Sequence, residues 1–478
     1  MLSSSSSIIV NALLDAAHRR PDGWAVRDPD VSMSYPDLVA RVEQEADGLA
    51  TAGLAAGESV MITATHSVDY LVAYFACLHL ACRLLPHEPE APQAEAEREV
   101  ARHAVRFTLR PGQAPARSRL APTGAARSEG SQAPCVCLPT SGTSGLPKRA
   151  VHREERLLGN ARAHAASIGL SERDTAMVSL SPAFGYCHTA QILAAVARAA
   201  RLVFPPRPAL PSELGAVLEA FGVTTTTMVP HQLGDPMLRA LGRGGSLRQL
   251  VLGGSAVTDE LTGRIREILP GTEYVQTWGM TEAGPRLTTW RSGRDSERPG
   301  SVGTALDGVE IVAANEDGTV PLAGLPAGFH AHPAELVVRT PYLMTGYLDA
   351  PEQTAQAVPA DGVLRTGDLG RVDSDGYVYL TGRIKNLIDV GGKKVSPEEI
   401  EEVLLALPGV AQARVSAAAD PRRGQQPAAE VVLEPGALLT GDEVRAYACS
   451  QLARHKWLKN IEIVEMIDRT RNGKIRRW

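Results

Sequence analysis

An α/β fold with a large N-terminal domain and a small α+β C-terminal domain is predicted by three features of the 478-residue sequence. Short apolar runs alternate with segments of helical spacing through the first three hundred residues, the pattern of strands covered by helices. After Gly300 the texture changes to short strands separated by turn signals, which predicts a β-rich part near 300–383. The last part opens on a helix-start signature and carries enough alternating and helical pattern for an independent unit of roughly ninety residues. The expected domains are 1–383 and 384–478, the smaller one mobile, since a chain of this length exceeds one compact core.

Residues 8–20 and 36–53 show helical spacing of Ile, Leu, Val and Ala with Gly53 and Gly57 as stops, and 59–64 reads as a strand. The most apolar stretch, Tyr70 to Leu85, is interrupted by His79 and Arg83 and is too short for a bilayer, so it is expected as one core helix. Residues 111–134 are rich in Pro, Gly, Ala, Ser and Arg and are expected as a surface linker. Further strands are expected at 135–138, 178–180, 201–204, 224–229, 249–252, 309–313 and 335–339, with a hairpin turning at Asp375 and Gly376. Ser396, Pro397 and Glu399 predict a capping box at the start of a helix to Leu407. Strands at 411–416 and 428–433 and a helix over 442–457 complete the small domain.

Hydrophobic residues make up 44% and charged residues 22%, an ordinary globular balance, and the formal charge of -5 leaves no basic footprint for nucleic acid. Ser3 to Ser7 has neither the basic segment nor the cleavage pattern of a secretory leader. No membrane partner and a cytoplasmic location are expected. The six cysteines lack paired CxxC spacing, which fits free thiols in a reducing compartment rather than a zinc site or disulfide framework.

The chemistry is concentrated in residues 138–152, reading LPTSGTSGLPKRAVH. Thr140, Ser141, Thr143 and Ser144 supply hydroxyls, Gly142 and Gly145 let the backbone turn tightly, and Lys148 adds a cation, a composition suited to polyphosphate. The spacing is not GxxxxGK[ST], and no hydroxyl follows the lysine. Lys148 is the only lysine before residue 385 in a chain that otherwise writes its positive charge as arginine. An ammonium on a flexible stem can follow a moving phosphate where a planar guanidinium cannot. The nine-position string resembles the phosphate loop of the adenylate-forming superfamily, which includes acyl-CoA and aryl-CoA ligases, peptide-synthetase adenylation domains and luciferases.

Four further segments in family order extend the resemblance to residue 474. Trp278, Gly279, Met280, Thr281 and Glu282 are similar to the aromatic-Gly-x-Thr-Glu segment, implying adenine against Trp278, a phosphate oxygen at Thr281 and Mg²⁺ on Glu282, with Thr143 as a second metal ligand. Thr366, Gly367 and Asp368 match TGD, which implies Asp368 on the ribose hydroxyls. Gly382, Arg383, Ile384 and Lys385 match the interdomain segment, which implies Arg383 on the nucleotide and Lys385 as the hinge; Asn386 stands where Asp is common. RTRNGK at 469–474 resembles the last motif, whose lysine, here Lys474, reaches the α-phosphate and the acid. Asp468 replaces the usual proline and Leu364 the frequent aromatic, and neither departure removes a reacting group.

The resemblance implies two half-reactions: ATP and a carboxylic acid give acyl-AMP and pyrophosphate, and a thiol then takes the acyl group. Positioned donors facing the developing phosphate charge supply most of such catalysis. For the acid, the informative stretch is PAFGYCHT at 182–189. Relatives that activate α-amino acids carry Asp after the phenylalanine, and here Gly185 follows Phe184. An aromatic or short apolar acid is therefore expected, held by Phe184, Gly185, Tyr186, His188, Gly253 and Met280. His188 either orients the carboxylate or is a satisfied core histidine. CoA is the expected acceptor. A pantetheinylated carrier protein or an amine is the alternative, and a non-catalytic nucleotide-binding relative a third reading.

Overall fold

The computed structural model describes residues 5–112, 118–125, 134–140, 148–206, 210–255, 257–314, 334–359, 362–390, 393–420 and 424–468. Two compact units are present: Met1–Glu310 with Val338–Leu364, and Ile311–Val337 with Arg365–Trp478.

The first unit is built on a nine-stranded and a seven-stranded sheet. In the larger, Thr175–Met177, Thr225–Met228, Gln249–Leu252 and Glu273–Trp278 run parallel and the neighbouring Thr288–Arg291 turns back antiparallel. In the smaller, Ser59–Thr63, Arg83–His87 and Cys135–Pro139 are parallel neighbours, and Cys135–Pro139 pairs antiparallel with Arg149–Arg153. Helices Ile8–Arg19, Tyr35–Thr51, Val68–His79 and Glu154–Ser167 bury their apolar faces in one continuous core, which takes Val60, Ile62, Leu84 and Val136 from the smaller sheet. The same core takes Ala176, Leu202, Val251 and Val275 from the larger.

Two expectations are corrected in this unit. Tyr70 to Leu85 is not one helix: the helix ends at His79, Ala81 adopts a left-handed φ of 56°, and Arg83–His87 is a strand beside Ser59–Thr63. Burial on every side of Val68–Leu78 erased the periodicity that would have marked the change. The 111–134 stretch is not all linker, because Arg119–Pro122 pairs antiparallel with Phe107–Arg110. Pro122 is tolerated there on an edge strand.

The strand that carries the chain away from the phosphate loop is anchored by a buried ion pair. Arg149, 1% exposed, donates Nη1 to the carbonyls of Pro86 (2.9 Å) and Cys137 (3.0 Å) and Nη2 to Glu99 Oε2. Burial pushes the Glu99 carboxyl up, but hydrogen bonding from His87 and the charge and hydrogen bond of Arg149 outweigh it and hold the group at about 2. With a depressed folded value, the stability that Glu99 contributes is complete above its unfolded value of about 4.3 and is lost as pH falls from there through about 2. Urea midpoints measured from pH 6 to pH 3 should fall more steeply for the wild type than for Glu99→Gln. Parallel curves would show that the pair carries none of the acid sensitivity.

A four-stranded sheet orders Glu310–Ala313, Ala334–Arg339, Val363–Val372 and Val378–Arg383. A five-stranded sheet built on Val410–Asp420 and Gly424–Leu433 has its own core of Ile388, Ile400, Leu404, Val415, Val431 and Val444. The helix Pro397–Leu405 starts where expected, but the capping box is absent: the single proton of the Ser396 hydroxyl has Glu398 Oε2 at 2.8 Å and Thr381 O at 3.1 Å as its acceptors, while Glu399 pairs with Lys456. Those acceptors compete with the cap for the hydroxyl.

Among the described residues no helix is long and apolar enough to cross a membrane. The six cysteines are free, and all but Cys449 are buried.

Candidate active site

The strands on either side of the expected phosphate loop, Cys135–Pro139 and Arg149–Arg153, pair antiparallel, so the segment joins two strands and not a strand and a helix. Cys135–Pro139 is wholly buried, Pro139 is in register with Arg149, and Thr140 N donates to Lys148 O at 2.8 Å, closing the base. Ser141, Gly142, Thr143, Ser144 and Gly145 lie outside the described residues, as does Lys474. The Lys148 ammonium sits 4.6 Å from the centroid of the Tyr347 ring.

Tyr347 ties two predicted site residues together. Its hydroxyl donates to Glu282 Oε1 at 2.7 Å, so ammonium, ring and carboxylate form a chain Lys148, Tyr347, Glu282. Burial first, and then the Glu282 charge and hydrogen bond, push the phenol up, so it stays a neutral donor. No local signal marks Tyr347, because it arrives through pairing of Gly346–Tyr347 with Val151 and Ala150, far away in sequence.

The WGMTE segment continues strand Glu273–Trp278 into a short helical turn, Thr281–Ala283. Gly279 is obligatory for packing: a Cβ there would lie 2.0 Å from Pro285 O and 2.9 Å from Arg286 Cα. The turn is fastened by His152 Nε2 to Thr281 O (2.8 Å) and by Met344 N to Glu282 O (2.9 Å). Burial, opposed by the Thr281 hydrogen bond, pulls His152 down to about 4, which makes it a neutral donor. Thr281 and Glu282 are partly exposed, and Glu282 Oε2 has no partner among the described residues. Trp278 is 7% exposed at the strand's end.

The predicted acid-binding residues cluster in the same unit. Phe184 precedes the helical turn Gly185–Cys187, which runs into a π-helical segment, His188–Leu193, a distortion enriched at functional sites. The Tyr186 hydroxyl is 3.1 Å from Thr277 Oγ1. Gly253 backs against both, since a Cβ on it would lie 2.5 Å from Tyr186 Oη and 2.7 Å from Thr277 Oγ1. His188 is 1% exposed with both nitrogens engaged, Nε2 with Tyr74 Oη (2.7 Å) and Nδ1 with Thr189 Oγ1 (3.1 Å). Burial, and less the charge of His152, pulls it down to about 3, so it is neutral. The structure also brings Arg286 to this cluster, a residue that the sequence reading passed over. Its signal was an arginine in the otherwise small and apolar AGPRL run directly after WGMTE.

In the second unit Asp368, 3% exposed, forms an ion pair with Arg383: Oδ1 is 2.6 Å from Nε, and Nη2 donates to Oδ2 at 3.5 Å. Thr366 holds the turn through Oγ1 to Leu336 O (2.6 Å), and Gly367 takes a φ of 68° that favours glycine. Lys385 lies in the helical turn Ile384–Asn386, directly after strand Val378–Arg383.

Residues 13–129 and 110–348 match the AMP-binding enzyme family model, and 399–474 match the AMP-binding enzyme C-terminal domain. A feruloyl-CoA synthase of Amycolatopsis sp is 30% identical over 96% of this chain and 95% of that protein. The 4-coumarate–CoA ligase 5 of Oryza sativa subsp. japonica is 29% identical, covering 93% and 88%. Among solved structures, ATP-bound MatB from Rhodopseudomonas palustris aligns with a TM-score of 0.84 at 24% identity over 98% and 97% of the two chains. The o-succinylbenzoate CoA synthetase of Bacillus subtilis, with its acyl-adenylate intermediate, aligns at 0.82 and 24% over 98% and 97%. With a family model spanning the phosphate loop and the WGMTE segment, and a relative similar along its whole length, the chain belongs to the AMP-binding enzyme family.

Proposed function

We propose that this enzyme activates an aromatic carboxylic acid and transfers it to CoA. The reaction type follows from the family: ATP and the acid give acyl-AMP and pyrophosphate, and the thiol of CoA then displaces AMP. The observation that carries the aromatic reading is the cluster of Tyr186, Gly253 and Thr277, which offers an aromatic face and no carboxylate for a substrate ammonium. Relatives named for ferulate, 4-coumarate and salicylate support the same class, and their names favour CoA over a carrier protein.

The carboxylate oxygen of the acid attacks the α-phosphorus and pyrophosphate leaves. We assign the 140–148 loop to the leaving phosphates, Thr281 to an α-phosphate oxygen, and Lys474 to the charge that develops there. Tyr347 holds Glu282 in place and gives the Lys148 ammonium a resting position on its ring. A partly exposed carboxylate with one unpaired oxygen fits a hard cation, so Glu282, with Thr143, would hold Mg²⁺, which neutralises phosphate charge when bound. Asp368 and Arg383 are assigned to the ribose and nucleotide, Trp278, Gly279 and Met280 to the adenine side, and Lys385 to the hinge of a small domain beginning at 384. His188, neutral and fully bonded, serves as a wall that fixes the start of the acid-binding helix.

An ATP–pyrophosphate exchange screen tests the proposal. Benzoates and cinnamates should promote exchange at least about tenfold better than proteinogenic amino acids, the scale set by a mismatched polar group in a pocket. Thioester should form with free CoA. Best exchange with an α-amino acid would overturn the substrate class, and thioester only on a carrier protein would overturn the acceptor.

A further inference from the structure

Among the described residues two arginines are buried, both in the first unit, and they are partnered differently. Arg149 is paired with Glu99 and two carbonyls. Arg286, 4% exposed, has no carboxylate partner among the described residues. Its guanidinium makes one hydrogen bond, Nη1 to Thr277 Oγ1 at 3.0 Å, and lies 3.7 Å from the centroid of the Tyr186 ring. Its Nε is buried with no partner.

The neighbours cannot supply the missing charge. Thr277 gives its only proton to Leu252 O (3.0 Å), so it accepts from both Arg286 and the Tyr186 hydroxyl and its bonding capacity is filled. Tyr186 is therefore a neutral donor. His164, buried with both ring nitrogens unbonded, is kept neutral at about 3 by burial and by the Arg286 charge. Its main chain is fixed on both sides by Asn160, N to Oδ1 at 3.0 Å and Nδ2 to O at 2.8 Å, and its guanidinium is held by Thr277 and the Tyr186 ring. Leaving a buried cation unpaired costs several kcal/mol, a cost that a purely structural arginine would offset with an acid, as Arg149 does. The Nε and Nη2 hydrogens form a fork matched to a carboxylate.

Building on the aryl-acid reading above, we propose that Arg286 is the specificity residue of the acid pocket and that the substrate is an aromatic dicarboxylic acid. One carboxylate is adenylated, and the other, at the far end of the ring, pairs with the Nε/Nη2 fork while the ring packs beside Tyr186.

Matched acids differing only at the distal group test this: terephthalate, 4-hydroxybenzoate and 4-methylbenzoate, and the corresponding 4-carboxy-, 4-hydroxy- and 4-methylcinnamates. With the wild type, the better of the two dicarboxylates should exceed its methyl and hydroxy counterparts at least about tenfold in kcat/KM for pyrophosphate exchange, as expected for a charged hydrogen-bonded pair. Arg286→Leu should invert the order. In thermal melts the dicarboxylate should raise the Tm of the wild type and not that of Arg286→Leu. A wild type that prefers the methyl or hydroxy acid, or a variant that keeps the dicarboxylate preference, would overturn the assignment while leaving aryl-acid activation standing. Absence of exchange with every acid would overturn both.

Discussion

Lys474→Ala is expected to slow acyl-adenylate formation by about 10²- to 10³-fold, the usual loss when one preorganised donor to a developing oxyanion is removed. The same variant, given synthetic acyl-AMP and CoA, should make thioester at near the wild-type rate. In the first half-reaction charge builds on the α-phosphate as the acid attacks; in the second it builds on the acyl carbonyl and on the departing AMP, so a near wild-type second step is expected because the lysine would by then have been carried away from the acyl carbon. The proposed hinge at Lys385 would carry Lys474 away with the small domain, whose separate core gives it the means to move as a unit. Lys148→Ala should differ, acting on pyrophosphate exchange through the β- and γ-phosphates and also freeing Tyr347 from its cation. Equal impairment of both half-reactions by Lys474→Ala would mean that the lysine is structural or that the domain does not turn, and the assignment would have to be withdrawn.

The parts of the site that were legible in the sequence are those whose chemistry is local. A hydroxyl- and glycine-rich loop, a Thr–Glu pair after a strand and a TGD turn each present their functional groups within a few consecutive residues, and their order supplies the rest. What stayed hidden depends on tertiary contact. Tyr347 reaches Glu282 because Gly346–Tyr347 adds to the edge of the strand leaving the phosphate loop, a pairing that spans nearly two hundred residues. Arg286 was visible as a letter, but its meaning lies in the absence of an acidic partner among the described residues, which only packing reveals. The same holds for the fold. Parallel strands such as Gln249–Leu252 announce themselves as short apolar runs, whereas Arg83–His87 merged with the preceding buried helix because neither exposes a polar face. The capping box at Ser396 failed for the converse reason: local chemistry was legible, and Thr381 and Glu398 competed for the hydroxyl.

Asp368→Ala is expected to weaken ATP binding by about 10²-fold or more while leaving the fold intact. In the proposed role two hydrogen bonds from ribose hydroxyls to the carboxylate would be removed, and bonds to charged groups contribute about 1.5 to 3 kcal/mol each. The structure adds a second loss, since the carboxylate also positions Arg383, whose Nε lies 2.6 Å from Oδ1. Arg383 is about one-third exposed, so water can solvate it once its partner has gone, which limits the damage to stability. The turn itself does not depend on the carboxylate: Thr366 to Leu336 O, Gly367 N to Glu335 and Asp368 N to Thr366 Oγ1 all persist in the alanine variant. Asp368→Asn, which keeps the shape and loses the charge, should fall between the two. The contributions separate in a double-mutant cycle with Arg383→Met. If Asp368 acts only through the arginine, Asp368→Ala on the Arg383→Met background should cost nothing further in ATP affinity by calorimetry. If it binds ribose directly, most of its effect should survive in that background. Unchanged ATP affinity in the single variant would reduce the TGD segment to a turn, and the nucleotide would need another ribose ligand.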